Sequence, residues 1–333
     1  QKEPMPTESL PPLYRWHADV ATIDRLKSVV LVNEETFFTI VFYGLEDSDL
    51  ERFDVIMADG IRDVFRDLCI NKTVIDAYLS QHVPFVYNKT TSNPHIAHLS
   101  VILDDIKHNA DAIQTETHVQ SILSKRLNKY PIQTDQGLIV PKVAMWQALE
   151  RKFGVAIFKT KAIELGVNVE CSQRILKRTF IVPLRYTFRE LHETLQIAFN
   201  WPNTHPHRFE VRDETGHPIL TIGPIETSSE QTFDSIFRSE ETTYLESVLT
   251  QHPVIYYTYG IGQGLVHHID VLRTVLDYQQ QTPLCLEGTG TLHVSMTDDG
   301  EESSDRKDMV KMEYEEAFLP EEVNHRLSRY FGA

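Results

Sequence analysis

Three runs near the start of the chain decide the fold of its first half: Ala18-Asp-Val-Ala-Thr-Ile-Asp24, Lys27-Ser-Val-Val-Leu-Val-Asn33 and Phe37-Phe-Thr-Ile-Val-Phe-Tyr43. Each is rich in β-branched and aromatic residues, and short polar breaks separate them, so the spacing predicts a three-stranded antiparallel meander. The period then changes. Leu50, Phe53, Ile56, Ile61, Val64, Phe65 and Leu68 recur at helical spacing, as do Ile75, Tyr78 and Leu79, and then Ile96, Leu99, Ile102, Leu103 and Ile106. A sheet followed by helices is an α+β order. Residues 109–135 are polar, with Ile122, Leu123 and Leu127 as the apolar exceptions, and Pro141 opens a short helix through Met145, Trp146 and Leu149. The expected organisation is an N-terminal α+β domain over 1–118, a connecting helical segment over 119–160 and a second domain over 161–333.

In the second half, Ile163 to Val169 alternates and Arg174 to Val182 can pair back on it. Thr187-Phe-Arg-Glu190 has the form of a capping box. The helix it opens carries Phe188, Leu191, Leu195, Ala198 and Phe199 on one face. Strands are expected near 207–213, 217–222, 253–259 and 265–276, a loop around Asp298 to Asp305, and a closing helix over 321–331. This half reads as a mixed sheet with packed helices, again α+β.

The bulk numbers narrow the function classes. The 333 residues carry a formal net charge of −16, which opposes nonspecific attraction to nucleic acid or anionic membrane. No stretch nears the roughly 20 apolar residues of a membrane span. Three widely spaced cysteines, Cys69, Cys171 and Cys285, point to a reducing compartment and so to a cytoplasmic location. Residues 1–12 lack the layout of a signal peptide, and the opening Gln in place of Met suggests a start further upstream.

The second half resembles the plasmid pRiA4b ORF-3-like proteins. The resemblance lies in Val182-Pro183, Thr187-Phe-Arg-Glu-Leu-His192, Ile197-Ala-Phe-Asn-Trp201 and His205-Pro-His207-Arg-Phe209, then Tyr257-Thr-Tyr-Gly-Ile-Gly262 with His267, then Pro283-Leu-Cys285 with Gly288 and Gly290. Members usually have acidic residues where this chain has Gly260 and Gln263, an aromatic at Leu265, and often a second cysteine at Leu292. Chemistry served by those groups would be lost here. The first half is similar to an uncharacterised bacterial domain often found ahead of this one, through Trp16-His17, Val29-Val-Leu-Val-Asn33, Val41-Phe-Tyr-Gly44 and Asn88-Lys-Thr90. That resemblance picks out the polar residues Trp16, His17, Asn33, Lys89 and Ser92. Together the two imply a bacterial or mobile-element accessory protein, with no established activity.

Among the 15 histidines, His205 and His207 are two apart, so on a strand both would face one side, a usable pair for a transition metal such as zinc. One of His267 and His268, and the Cys285 thiolate, would complete the site; the competing reading is of packed residues bonded to backbone groups. His192 falls on the apolar face of its helix. Gly260 to Gly264 reads as a hairpin turn rather than a phosphate loop, because a strand follows it. Arg174, Lys177, Arg178, Arg185 and Arg189 form the one basic run that could touch an anion or nucleic acid, against the reading of a solvated edge. No catalytic residue emerges. The favoured function is a non-enzymatic binding protein whose partner is another protein with a basic surface. A metal-dependent, possibly hydrolytic enzyme and a DNA-binding accessory are the alternatives.

Overall fold

A computed structural model describes residues 10–81, 93–108, 112–134, 137–154, 156–171, 174–225, 235–260, 264–296, 310–315 and 317–332. The chain divides into two compact units, the first essentially residues 1–160 and the second 161–332 without the short stretch 279–281.

In the first unit the meander forms as the sequence predicts, from β1 (Trp16–Ile23), β2 (Leu26–Asn33) and β3 (Thr39–Leu45), paired antiparallel in that order. β2 is buried from Ser28 to Asn33, which explains its unbroken apolar run. Short α1 (Asp47–Leu50) leads into α2 (Phe53–Asp67), α3 (Lys72–Leu79) and α4 (Asn93–His108). α4 packs against β1 and β2. α5 (Ser121–Leu127), the small hairpin of β4 (Ile132–Thr134) and β5 (Gly137–Ile139), and α6 (Pro141–Phe153) complete the unit.

The 119–160 segment is not a separate connector. Met145, Trp146, Ala148 and Leu149 enter one core with Val29, Leu31, Ile40, Phe42, Ile61 and Phe65. Its polar residues are buried too: the Ser124 hydroxyl accepts from the Val41 amide at 3.0 Å, and Asn128 accepts from the Thr39 amide and donates to the Thr39 carbonyl at 2.8 and 2.6 Å. These side chains satisfy the free edge of β3, which an alternation of apolar residues could not reveal.

Gly60 of α2 marks the closest approach of helix and sheet. A Cβ there would lie 2.5 Å from the ring of Phe42, which is fully buried and cannot yield. Gly60→Ala is therefore expected to destabilise the first unit by about 1–3 kcal/mol, although alanine favours the helix by about 1 kcal/mol. Urea unfolding of the variant checks it; unchanged stability would mean that the helix is free to shift.

The second unit is built on an eight-stranded mixed sheet: β6 (Thr160–Cys171), β7 (Arg174–Pro183), β8 (His207–Arg212), β9 (Pro218–Gly223), β10 (Ile236–Ser239), β11 (Val254–Tyr259), β12 (Leu265–Tyr278) and β13 (Leu284–Thr289). The strand order is β10-β9-β8-β11-β12-β6-β7-β13, with β10 parallel to β9 and the pairs β9–β8, β8–β11, β11–β12, β6–β7 and β7–β13 antiparallel. A two-stranded ribbon of β14 (Thr291–Met296) and β15 (Val310–Glu315) follows.

Three helices supply the core. α7 (Phe188–Phe199) starts at the expected capping box, with the Thr187 amide on Glu190 at 2.8 Å and the Glu190 amide on the Thr187 hydroxyl at 3.3 Å. Its apolar face meets Ile163, Leu165, Val167, Phe180 and Val182, the inward set of β6 and β7. Leu245 and Val248 of α8 (Leu245–Leu249) and Val323, Leu327 and Phe331 of α9 (Pro320–Gly332) join the same core. Each such side chain contributes about 1.5–3 kcal/mol on burial. The Gly260–Gly264 run joins β11 to β12, which pair antiparallel up to Tyr259 and Leu265, so it closes a hairpin. Residues 261–263 and the acidic stretch Asp298–Asp305 lie outside the described residues.

Candidate functional site

The polar residues of the second unit gather where α7 crosses the centre of the sheet. Strand register sets the platform: Tyr257 on β11 is paired with Phe209 on β8 and with His267 on β12. α7 brings Arg189, His192 and Gln196 to this platform, and the Asn200–His205 loop returns Asn203 to it. Asn200 and Asn203 both take positive φ, at 58° and 53°, a conformation asparagine tolerates better than most residues.

His192 is fully buried. Its Nε2 lies 2.7 Å from the Asn203 side-chain oxygen and its Nδ1 2.7 Å from the Tyr257 hydroxyl. Gln196 donates to that hydroxyl at 2.9 Å, and its own oxygen accepts from the Asn203 amide at 3.1 Å. One proton arrangement satisfies every member: Gln196 donates to Tyr257, Tyr257 donates to Nδ1, and Nε2–H donates to Asn203. His192 is then neutral, and burial together with the facing His207 ring pushes its pKa down to about 3. Burial raises the Tyr257 hydroxyl well above its ordinary value.

His207 stacks on His192, with ring centroids 3.4 Å apart and planes within 9°. Its Nε2–H donates to Glu240 at 2.7 Å, and Arg189 donates to the other Glu240 oxygen at 3.2 Å. Glu240 is fully buried. Burial alone would raise its carboxyl, but the His207 hydrogen bond and the neighbouring positive charge hold it below its usual range. No local motif marks Glu240 in the sequence: it follows β10 and lies 33 residues from its partner His207.

The expected metal set does not converge. β8 begins at His207, and Pro206 separates it from His205, so the two imidazoles do not share a strand face. His205 instead lies edge-on to Tyr259 at 5.5 Å. His267 is fully buried, with Nδ1–H on the Tyr257 carbonyl at 2.9 Å, and Phe199, Trp201 and Tyr257 surround its ring. Burial lowers its pKa to about 3. The alternative partner, His268, bonds Asp270 at 3.0 Å. Cys285 lies on β13, three strands beyond β12, or roughly 14 Å at the usual strand spacing. Burial pushes its thiol up to about 11, and Asn324 of α9 brackets its backbone at 2.7 and 2.8 Å. Among the described residues, no three His, Cys, Asp or Glu side chains are placed to hold a metal ion.

The basic run does not form a patch either. Arg178 is buried, since it shares the inward parity of Leu176 and Phe180. Its guanidinium sits 3.8 Å from the ring of Phe318 and 4.9 Å from that of Phe199 and donates to the carbonyls of Lys177, Thr289 and Gly290 at 2.7–2.8 Å. Arg185 pairs with Glu246 and covers Tyr244, and Arg189 is held by Glu193 and Glu240. Lys177 is exposed on the opposite side of β7 from Arg178. The Arg174 side chain lies outside the described residues.

In the first unit, Trp16 donates to the Tyr78 hydroxyl at 3.1 Å. Asn33 is fully buried and organises the β2–β3 turn. Its amide donates to the carbonyls of Leu13 and Arg15, and its oxygen accepts from the amides of Glu35 and Thr36 and from the Thr36 hydroxyl. The turn it fixes places Phe37 at φ 57°, a strained value for an aromatic residue. Phe37 stacks on His95 at 4.3 Å and 11°, and His95 stacks on His17 at 4.3 Å and 25°. Lys89 and Ser92 lie outside the described residues.

The molecule is thus a two-unit α+β protein with a closed polar cluster in one unit and an aromatic–imidazole pile in the other. Residues 161–316 match the plasmid pRiA4b ORF-3-like protein family, and residues 1–144 match a domain of unknown function, DUF6933. These matches bear out the resemblance of both halves. A curated relative, the uncharacterized protein y4hQ of Sinorhizobium fredii (strain NBRC 101917 / NGR234), is 29% identical over 129 residues, or 38% of this chain; the chain covers 62% of that relative's length. A solved structure of a protein of unknown function, MM3350 from Methanosarcina mazei Go1, is 24% identical over 41% of this chain and 74% of its own, with a TM-score of 0.33. None of these descriptions assigns an activity. Among the described residues, no helix is long and apolar enough to cross a membrane.

Proposed function

We propose that this protein is a non-enzymatic interaction protein, of the accessory kind carried by plasmids and other mobile elements, whose partner is another protein with a basic surface. The observation that carries the reading is the closure of the second unit's polar cluster. A general base needs a free lone pair within reach of substrate; both His192 nitrogens are bonded within the protein, and the Glu240 carboxylate is shared between the His207 Nε2–H and Arg189, which leaves His207 Nδ1 as the one imidazole nitrogen of the stacked pair not tied into the network among the described residues. The groups that would resemble an active site instead tie α7 to the sheet. The net charge of −16 supports the choice of partner, since an acidic surface steers and orients a basic one.

The test is retention of bacterial lysate proteins on the immobilised full chain at rising ionic strength. A discrete basic protein held at about 50 mM salt and released by about 500 mM, as screening of surface charge requires, is the expected result. Retention of DNA alone, or hydrolase turnover that Glu240→Gln abolishes, would overturn the reading.

A further inference from the structure

The first unit holds an open cleft of about 510 Å³, a volume suited to a small molecule. One wall is the turn fixed by Asn33, which presents Glu35, Thr36 and Phe37; across from it α6 presents Ala144, Gln147 and Arg151, which are three to four residues apart and so share a helix face. His95, from the first turn of α4, and Ile139 of β5 also line the cleft. The Phe37 ring is stacked on His95 on one side, the His98 ring stands at 79° to it with centroids 5.5 Å apart, and the residue is half-buried. A further flat ring would extend this pile, since offset ring stacking rewards aromatic occupants. Beside it, Arg151 and Glu35 form an ion pair at 2.7 Å, with Arg151 63% exposed, so the two charges of opposite sign stand side by side at the cleft.

We infer that this cleft is a binding site for an aromatic α-amino acid, whose ring stacks on Phe37 and whose carboxylate and ammonium take Arg151 and Glu35 in place of their mutual pair. The positive φ of Phe37 fits this role: the strain is retained where it holds the ring at the cleft. The guanidinium suits a carboxylate because its planar donors match two oxygens. The site is independent of the partner proposed above, and it stands or falls on a separate experiment.

Titration calorimetry of the full chain with L-tryptophan tests it, alongside tryptamine, indole-3-propionate and L-alanine, which lack the carboxylate, the ammonium and the ring. L-Tryptophan is expected to bind saturably at one site, and each truncated compound to bind at least about tenfold more weakly. Phe37→Gly should abolish binding while the chain still melts cooperatively, because the ease with which glycine takes a positive φ offsets part of the stacking on His95 that is lost. Arg151→Gln should bring tryptophan down to the affinity of tryptamine. No saturable heat with L-tryptophan, L-phenylalanine or L-tyrosine up to about 10 mM, on a scale where 1 mM binding is already weak, would overturn the assignment. So would binding that Phe37→Gly leaves intact in a folded chain.

Discussion

Acidification is expected to unfold the second unit, with most of the stability lost between pH 6.5 and about 3. His192 and His267 ordinarily titrate near 6.5, and in the folded chain both fall to about 3. Within that window the unfolded chain binds two protons that the folded chain refuses, so stability declines as pH falls and is complete above 6.5. Two protons correspond to a slope of about 2.7 kcal/mol per pH unit at most. Summed over the window, that rivals the whole 5–15 kcal/mol stability of an ordinary domain. Glu240 adds to the loss at the acid end: its folded pKa lies below the ordinary 4.5, so its contribution disappears as pH falls through that lowered value. The urea midpoint measured by circular dichroism from pH 8 to 3.5 should slope steeply below 6.5. A flat profile down to pH 4.5 would mean that the two imidazoles are not held neutral.

Glu240→Ala is expected to cost about 3–5 kcal/mol, the usual penalty for removing one partner of a buried charged pair. The variant strands the His207 Nε2–H and one Arg189 donor, whose partners at 2.7 and 3.2 Å are the two Glu240 oxygens. Glu240→Gln retains one acceptor and loses the charge, so it should cost less, about 1.5–3 kcal/mol. Urea unfolding at pH 7.5 separates the two. If Glu240→Ala matches the parent, the carboxylate is not a structural tie, and the cluster would have to be reread as a reactive one.

The sequence made the framework legible because its periods were local. The three runs of the meander, the capping box at Thr187 and Glu190 and the alternation of Ile163 to Val169 each depend on neighbours a few residues apart. The site was legible only as a list of residue types. His205 and His207 look paired until Pro206 and the start of β8 at His207 set them apart. The basic run looks continuous until strand parity turns Arg178 inward beside Leu176 and Phe180, a signal that was present in the alternation itself. Cys285 stands on β13, far along a strand order that no short spacing encodes. Glu240 and Phe37 carried no signal, since one acts through partners far away in sequence and the other through a backbone angle. Polar Ser124 and Asn128 hid the α5 region because they serve β3 by hydrogen bonds rather than by apolar contact.

The most direct test of the closed cluster is a long-range proton–nitrogen NMR spectrum of the imidazoles, recorded at pH 7 before and after one equivalent of Zn²⁺. The closed network requires neutral His192 with its proton on Nε2, His267 with its proton on Nδ1, and no change in His192, His207 or His267 when zinc is added. Saturating shifts of His207 and His267 at one equivalent would contradict the account and restore these side chains as ligands.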